Sequence, residues 1–299
     1  MNALNHPPLP VLYRPLLRRA LREDLGEAGD LTTDCLVPVG AQAKARVVAR
    51  RPGRVAGLEV ALDTFGLLDP AVVIEFLVRD GEDVTAGQTL ATVAGEARFL
   101  LIGERTALNL LGRLCGVATA TRDLVARVEG TGARVVCTRK TTPGLRALEK
   151  YAVRCGGGAN HRFGLDDAVL IKDNHLIVAG GVRPAIARAK AAVGHLVKIE
   201  VEVDRLEQLE EALDEGVDVV LLDNMDLETL REAVRRTRAR SARSGRATLL
   251  EASGGIRLDT ARAIAQTGVD LLSVGWLTHG APALDVALDF EFESDPRGA

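Results

Sequence analysis

Leu12, Leu16, Leu17, Ala20, Leu21 and Leu25 fall on one stripe at helical spacing, which predicts a helix over 11–25 ended by Gly26. The stretch 23–34 that follows is acidic and rich in turn residues, and reads as a solvated loop. From residue 43 the spacing changes to that of strands. Short apolar runs at 45–49, 53–56, 72–78 and 90–93 sit between glycine turns, with one short helix expected over 58–65. Helical spacing returns over 104–128, through Leu108, Leu111, Leu114, Cys115 and Ala118. After it, strands are predicted near 134–138, 168–171, 197–203, 217–222, 247–252 and 269–274, each followed by a helix, at 145–154, 183–193, 204–214, 226–240, 258–267 and 282–288. Six β/α units in succession make a parallel sheet with right-handed crossovers.

Such a sheet is either an open doubly wound one or a barrel, and the strand ends choose between them. Arg139-Lys140, Lys172, Glu202, Asp223-Asn224, Ser253-Gly254-Gly255 and Ser273-Val274-Gly275 each stand where a strand hands over to its loop. Polar groups at every strand end belong to the mouth of a barrel, whereas an open sheet favours its switch point alone. Six units fall short of the usual eight. The expected architecture is therefore α/β: an irregular, incomplete β/α barrel at 106–290, preceded by an α+β sandwich domain at 1–105 that serves as lid or dimerisation surface, with a tail at 291–299.

Composition narrows the function class. A chain of 299 residues with 47% hydrophobic content and a net charge of −3 builds a full core, and its balanced charge weighs against a nucleic-acid partner. No apolar run is long enough to span a membrane and the start lacks the pattern of a signal peptide, so a cytoplasmic protein is expected. Cys35, Cys115, Cys137 and Cys155 form no C-x-x-C pair and are expected to be reduced thiols. The segment 78–95 resembles the half-barrel of biotinyl and lipoyl carriers, but no lysine lies between Ala45 and Ala133 to hold a swinging cofactor, so only the shape of that fold is expected.

Chemistry concentrates between Ala133 and His175. Two strand-like runs end on cations, Arg139-Lys140 and Lys172, and a glycine-rich segment between them carries His161-Arg162, which together describe an anion-binding mouth. Arginine far outnumbers lysine in this chain, so a lysine at a strand end stands out. Glu202 and Asp223 end adjacent strands and suit Mg²⁺ or sugar hydroxyls, with Glu200 on the same side of its strand as Glu202. The small residues of the Ser253 and Ser273 loops leave backbone N–H groups open to a phosphate. A lysine at a barrel strand end also suits a Schiff-base lyase, with Lys140 or Lys172 as nucleophile.

Seven blocks in order carry a family resemblance: Glu23-Asp-Leu-Gly with Gly29-Asp-Leu-Thr-Thr, Glu104-Arg-Thr-Ala-Leu-Asn, Thr138-Arg-Lys-Thr-Thr-Pro-Gly, Gly158-Ala-Asn-His-Arg-Phe-Gly-Leu, Ile171-Lys-Asp-Asn-His, Glu200-Val-Glu-Val and Ser253-Gly-Gly-Ile. From about residue 11 to 290 the chain resembles the quinolinate phosphoribosyltransferases. The resemblance implies a reaction in which quinolinate and phosphoribosyl pyrophosphate give nicotinate mononucleotide, pyrophosphate and CO₂ with Mg²⁺, a step of NAD biosynthesis. It implies that Lys140, Lys172, Glu202 and Asp223 are catalytic, the two carboxylates meeting Mg²⁺ directly or through the pyrophosphate. It adds Arg105, Thr138, Arg139, His161, Arg162, Ser253, Gly254, Gly255, Ser273, Val274 and Gly275 as substrate contacts. It further implies a homodimer or higher oligomer in which Arg105 serves the partner's site. A related transferase for another heteroaromatic acid is the alternative, since a sequence shows a pocket's charge and not its shape.

Overall fold

The computed structural model describes residues 6–291. In chain order the elements are α1 (Pro10–Leu25), α2 (Leu31–Leu36), β1 (Gln42–Ala49), β2 (Gly53–Arg54), α3 (Leu58–Leu68), β3 (Val73–Phe76), β4 (Asp83–Val84), β5 (Thr89–Glu96) and α4 (Ala97–Val128). There follow β6 (Arg134–Val136), α5 (Arg146–Cys155), β7 (Val169–Ile171), α6 (Asp173–Ala179), α7 (Val182–Ala192), β8 (Ile199–Val203), α8 (Leu206–Glu215), β9 (Val219–Asp223) and α9 (Leu227–Ser244). The last are β10 (Leu249–Ser253), α10 (Ala261–Ala265), β11 (Leu271–Ser273), α11 (Trp276–His279) and β12 (Val286–Glu291). Two compact units result, one holding the described residues up to 122, residues 142–157 and those from 278 on, the other 123–141 and 158–277. These limits differ from the expected division at 105/106. All but the first residue of the expected tail lies outside the described residues.

The first unit is built on an antiparallel sheet of order β12-β1-β5-β3, with a separate pair β2-β4. Helix α1 begins with Pro10 in its first turn, where a missing N–H costs nothing. It buries Tyr13, Leu17 and Leu21, spaced by four, and leaves Leu12 exposed, so the true apolar stripe is narrower than the expected one. It contacts α3, and Arg14 makes a two-bond pair with Asp63 at 2.7 and 2.9 Å. The acidic loop is not all loop: Asp30 caps α2 by accepting the Thr33 N–H at 3.1 Å.

Residues 282–288 are not the expected helix. The close-packed Gly112 and Gly116 of α4 explain why: a Cβ there would lie 2.7 Å from the Leu284 carbonyl oxygen and 2.1 Å from that of Pro282. The chain therefore lies flat on α4, the Leu284 N–H bonding the Gly112 carbonyl at 2.9 Å, and runs on as β12, antiparallel to β1 with Leu288 opposite Val47. Helix α5 also departs from the expected pattern, because it packs in this unit and not on the parallel sheet. Its Tyr151 hydroxyl donates to Asp80 at 2.7 Å, and its buried Glu149 takes Arg113 at 2.8 Å. Asp80 accepts the Gly57 and Leu58 N–H groups as well, so one carboxylate ties α5 to the start of α3.

The second unit holds a six-stranded parallel sheet of order β6-β11-β10-β9-β8-β7. Read from β7, that is chain order with β6 added after β11, the cyclic order of a singly wound barrel left open between β6 and β7. The sheet does not close. On the free edge of β6 the 158–160 segment adds a short parallel bridge, Ala159 N–H to the Val135 carbonyl at 2.8 Å and Cys137 N–H to the Ala159 carbonyl at 3.2 Å. Register separates the two faces of the sheet. Ile171, Val201, Val220 and Leu250 line up across one face, as do Val203, Leu222, Ala252, Leu272 and Val135, and all nine are buried. Helices α7, α8 and α10 contact strands of this sheet. The opposite face carries Glu200, Glu202, Asp223, Glu251, Ser253 and Ser273. Among the described residues no helix is long and apolar enough to cross a membrane.

Candidate functional site

Because strand residues alternate sides, β8 and β10 each carry two polar residues on this face, two positions apart: Glu200 and Glu202, Glu251 and Ser253. The later member of each pair stands at the C-terminal edge and the earlier one lies a layer deeper. Fourteen of the fifteen expected site residues belong to this unit; Arg105 belongs to the first.

At the edge, Lys172 follows β7 and its Nζ lies 3.6 Å from Glu202 Oε2. Its backbone N–H donates to His175 Nδ1 at 2.9 Å, which fixes the turn into α6. Burial pushes the Glu202 carboxyl up from its ordinary range, Lys172 pulls it back, and Asp223 and Asp173 push it up again. Clustered negative charge of this kind is what a cation relieves. Asp223 accepts a bond from the Asn224 amide at 2.7 Å. Asn224 takes a left-handed backbone, φ 53°, and its N–H reaches the Ser253 carbonyl at 2.9 Å. Gly254 makes this possible: it has φ +96°, and a Cβ there would lie 2.0 Å from Asn224 Oδ1.

The two expected phosphate loops are joined by Trp276, whose Nε1 donates to the Ile256 carbonyl at 2.9 Å. Their groups are not equivalent. Ser273 is buried and its hydroxyl is 3.4 Å from the Ala252 carbonyl it donates to, while the Val274 N–H is spent on the Val136 carbonyl at 3.0 Å. The Ser253-Gly254-Gly255 turn is more open, with Gly255 exposed at φ +60°. Thr138 shapes the basic loop after β6, its hydroxyl accepting the Lys140 N–H at 3.0 Å. Lys140 is exposed.

Two guanidiniums dominate the anion side. Arg162 donates to the Ala168 carbonyl at 3.0 Å, and its Nε is buried with no partner among the described residues, as is the Nε of Arg139. The Arg162 guanidinium is pulled below its ordinary value by burial and by the positive charge of Arg139, with Glu200 and Asp167 opposing. Two like charges side by side with unsatisfied donors are the setting in which a bound anion gains most. Asp167 orders the loop between them and β7 by accepting the Phe163 and Gly164 N–H groups at 2.5 and 2.9 Å.

His161 does not stand as the free cation the sequence suggests. Its Nδ1 accepts the Arg162 N–H at 2.7 Å, and its Nε2 lies 2.9 Å from Glu200 Oε2 and 3.6 Å from Glu251 Oε1. A nitrogen that accepts carries no proton, so this arrangement is the neutral ring with hydrogen on Nε2. Glu251 is absent from the sequence-based set; its signal was a glutamate inside an apolar strand, in phase with Ser253. Burial pushes its carboxyl up to about 7, Glu200 adding to the rise while His161 and Ser273 oppose it. The raised value means that stability held below the ordinary pKa of 4.5 is lost as pH climbs through about 7. Glu251→Gln removes that loss, so its melting temperature relative to the parent should rise between pH 5 and pH 8. A difference that stays constant across this window would show that Glu251 carries no raised pKa.

Comparison with known proteins bears on what this face does. The model of the quinolinate phosphoribosyl transferase C-terminal domain matches residues 117–289, and that of the N-terminal domain matches 30–115. A relative from Mycobacterium leprae, named nicotinate-nucleotide pyrophosphorylase [carboxylating], is 47% identical over 280 residues, covering 92% of this chain and 96% of its own. One from Bacillus subtilis, named a probable enzyme of that kind, is 42% identical and covers 94% of both chains. The solved nicotinate-nucleotide pyrophosphorylase from Francisella tularensis superposes with a TM-score of 0.89 at 36% identity, over 97% of this chain and 100% of that one. With both domain models matched in order and relatives aligned over nearly their full length, the chain belongs to the quinolinate phosphoribosyl transferase family.

Proposed function

We propose that this protein transfers the phosphoribosyl group of phosphoribosyl pyrophosphate to the ring nitrogen of quinolinate and releases CO₂, giving nicotinate mononucleotide and pyrophosphate for NAD synthesis. The observation that carries the reading is the pair of neighbouring guanidiniums, Arg139 and Arg162, each with a buried and partnerless Nε, on the same unit as the Glu202–Asp223 carboxylate edge. Adjacent carboxylates on one ring match two planar donor forks. Lys172 and Lys140 add point charges, and Glu202 and Asp223 accept from ribose hydroxyls. The open Ser253-Gly254-Gly255 turn takes the 5′-phosphate, with Gly275 beside it.

The chain's task is to bring the ring nitrogen in line with the sugar carbon as the carbon–oxygen bond to pyrophosphate breaks. The nitrogen's electron pair forms the new bond and the departing pyrophosphate keeps the old one. The ring nitrogen is then cationic, and the adjacent carboxylate leaves as CO₂ with its bonding electrons drawn toward that charge; a proton from solvent completes the ring carbon. Arg139 and Arg162 hold the carboxylates through this sequence without removing their charge.

Glu202 and Asp223 fit Mg²⁺, since carboxylate oxygens are the donors a hard cation takes and Glu202, raised first by burial, is raised further by the negative charge of Asp223 and Asp173. Bound there, the ion supplies charge neutralisation for the leaving pyrophosphate. Amides at Glu202 and Asp223 are expected to raise the Mg²⁺ and phosphoribosyl pyrophosphate requirements at least about tenfold while quinolinate binding changes little. Equal loss toward both substrates in titrations would assign these carboxylates a structural role instead.

The reading extends to a cytoplasmic homodimer. Four free thiols suit a reducing compartment, and Leu31, Leu36 and Val39 leave apolar surface exposed on the first unit. Arg105, also exposed and, among the described residues, paired with its neighbour Glu104 at 2.7 Å, is then available to a second subunit. A Schiff-base reaction fits less well, because Lys172 is ion-paired with Glu202 where an amine nucleophile sits desolvated in an apolar pocket. The deciding experiment offers quinolinate, nicotinate and related pyridine acids with phosphoribosyl pyrophosphate and Mg²⁺, and follows pyrophosphate and CO₂ together. Release of both with quinolinate alone is expected; pyrophosphate without CO₂, or a preference for another acid, would redirect the assignment.

A further inference from the structure

We propose that Glu200 is a positioning residue that, through the His161 ring, holds Arg162 where it receives a carboxylate of the pyridine substrate. The inference rests on the functional reading above. Neither Glu200 nor Glu251 stands at the rim: both are buried, one layer below Glu202 and Ser253 on the same sheet face. Of the two, Glu200 bonds the His161 ring, while the buried Glu251 Oε1 has no hydrogen-bond partner among the described residues. His161 Nε2 is 2.9 Å from Glu200 and 3.6 Å from Glu251, and His161 Nδ1 holds the Arg162 backbone N–H at 2.7 Å. Arg162 is thus fixed at its backbone by the ring and at its guanidinium by the Ala168 carbonyl.

Charge accounts for the layering. Glu200 favours the charged form of Arg162, so it offsets the burial of that cation from below and leaves the upper side to the ligand. Glu251, its carboxyl pushed up to about 7 by burial and by Glu200, lies beside the ring without bonding it. The division of labour on β8 follows: Glu202 belongs to the lysine and the sugar, Glu200 to the histidine and the arginine. The ligand atoms of His161, Glu200 and Glu251 lie within 4.8 Å of one another, the spacing of a metal site, so a bound metal ion is the rival account. The 2.9 Å contact is of hydrogen-bond length, which favours the strut.

Steady-state kinetics of Glu200→Leu and Glu200→Gln test the idea. Leucine keeps the volume but cannot bond the ring; it should raise the quinolinate KM at least about tenfold with the phosphoribosyl pyrophosphate KM within about twofold, and glutamine should restore most of the loss. Unchanged quinolinate KM in the leucine variant, or equal loss toward both substrates, would overturn the proposal. Should the leucine variant not fold, nitrogen-15 NMR of the wild-type histidines decides, with His161 identified by its absence in His161→Asn. The neutral ring with hydrogen on Nε2, unaltered by quinolinate, is expected; an imidazolium, or a ring that changes form when quinolinate binds, would refute the strut. A metal ion retained through chelator dialysis and lost in Glu200→Leu would also overturn it. Absence of wild-type turnover with quinolinate strikes the functional reading alone, because the ring's protonation is measured without substrate.

Discussion

An Arg139→Ala variant is expected to lose about 2–5 kcal/mol of transition-state binding toward quinolinate, roughly thirtyfold to a few thousandfold in kcat/KM, because a desolvated carboxylate is left without its partner. The size follows from the site. Arg139 and Arg162 are close enough that one depresses the other's pKa, and each keeps a buried Nε with nothing to bond. In the free protein this is an unfavourable pair that a dianion relieves, so the arginines contribute most when two carboxylates arrive together. Nicotinate, with one carboxylate, leaves part of that repulsion in place. Arg139→Lys should recover only part of the loss, since a point charge cannot bond both oxygens of a carboxylate in the plane of a fork. Initial rates of pyrophosphate release with quinolinate and nicotinate measure both effects. A wild-type enzyme that used the two acids equally well would remove charge count as the basis of substrate choice.

The parallel sheet was legible because its signal is local: each strand is a short, mostly apolar run with polar residues at or just beyond its end, and Val201, Val220, Leu250 and Leu272 declare the buried face by composition alone. The rim of the candidate site was legible for the same reason, since Lys172, Glu202, Asp223 and Ser253 stand at positions the strand pattern already marked. Long-range pairing was not. Residues 282–288 have Leu284 and Leu288 at helical spacing, and only β1, more than two hundred residues earlier in the chain, makes them a strand's approach and start. Helix α5 was recognisable as a helix, but its place in the first unit depends on Asp80 and Arg113, partners that its own sequence does not name. The lower layer of the site was hidden in a different way. Glu251 sits in Leu-Leu-Glu-Ala-Ser, where a single glutamate gives no hint that Glu200 and His161 lie beside it. Ser273 and Val274 looked like phosphate contacts from their small size, whereas the sheet's own carbonyls take the Ser273 hydroxyl and the Val274 N–H.

Mixing two inactive variants, Arg105→Ala and Lys172→Ala, is expected to restore activity. Arg105 lies on α4 in the first unit, two-thirds exposed and, among the described residues, bonded only to the adjacent Glu104, while every other residue assigned to the site belongs to the second unit. An arginine whose guanidinium is left in solvent beside a flexible neighbour contributes little to stability, so Arg105→Ala should fold as the parent does and report on catalysis alone. In a twofold dimer each subunit lends the same residue to the other, and a complete site then takes Arg105 from one chain and Lys172 from its partner. Dissociated, mixed in equal amounts and reassociated, the variants pair at random and about half of the dimers are mixed. Each mixed dimer has one site lacking both residues and one lacking neither. Roughly a quarter of wild-type activity should therefore return. If Arg105 instead serves its own subunit, every site in the mixture lacks one essential group. Light scattering and differently tagged chains establish that mixed dimers have formed; mixed dimers without activity would exclude the cross-subunit role and leave Arg105 either to its own subunit's site or to the surface.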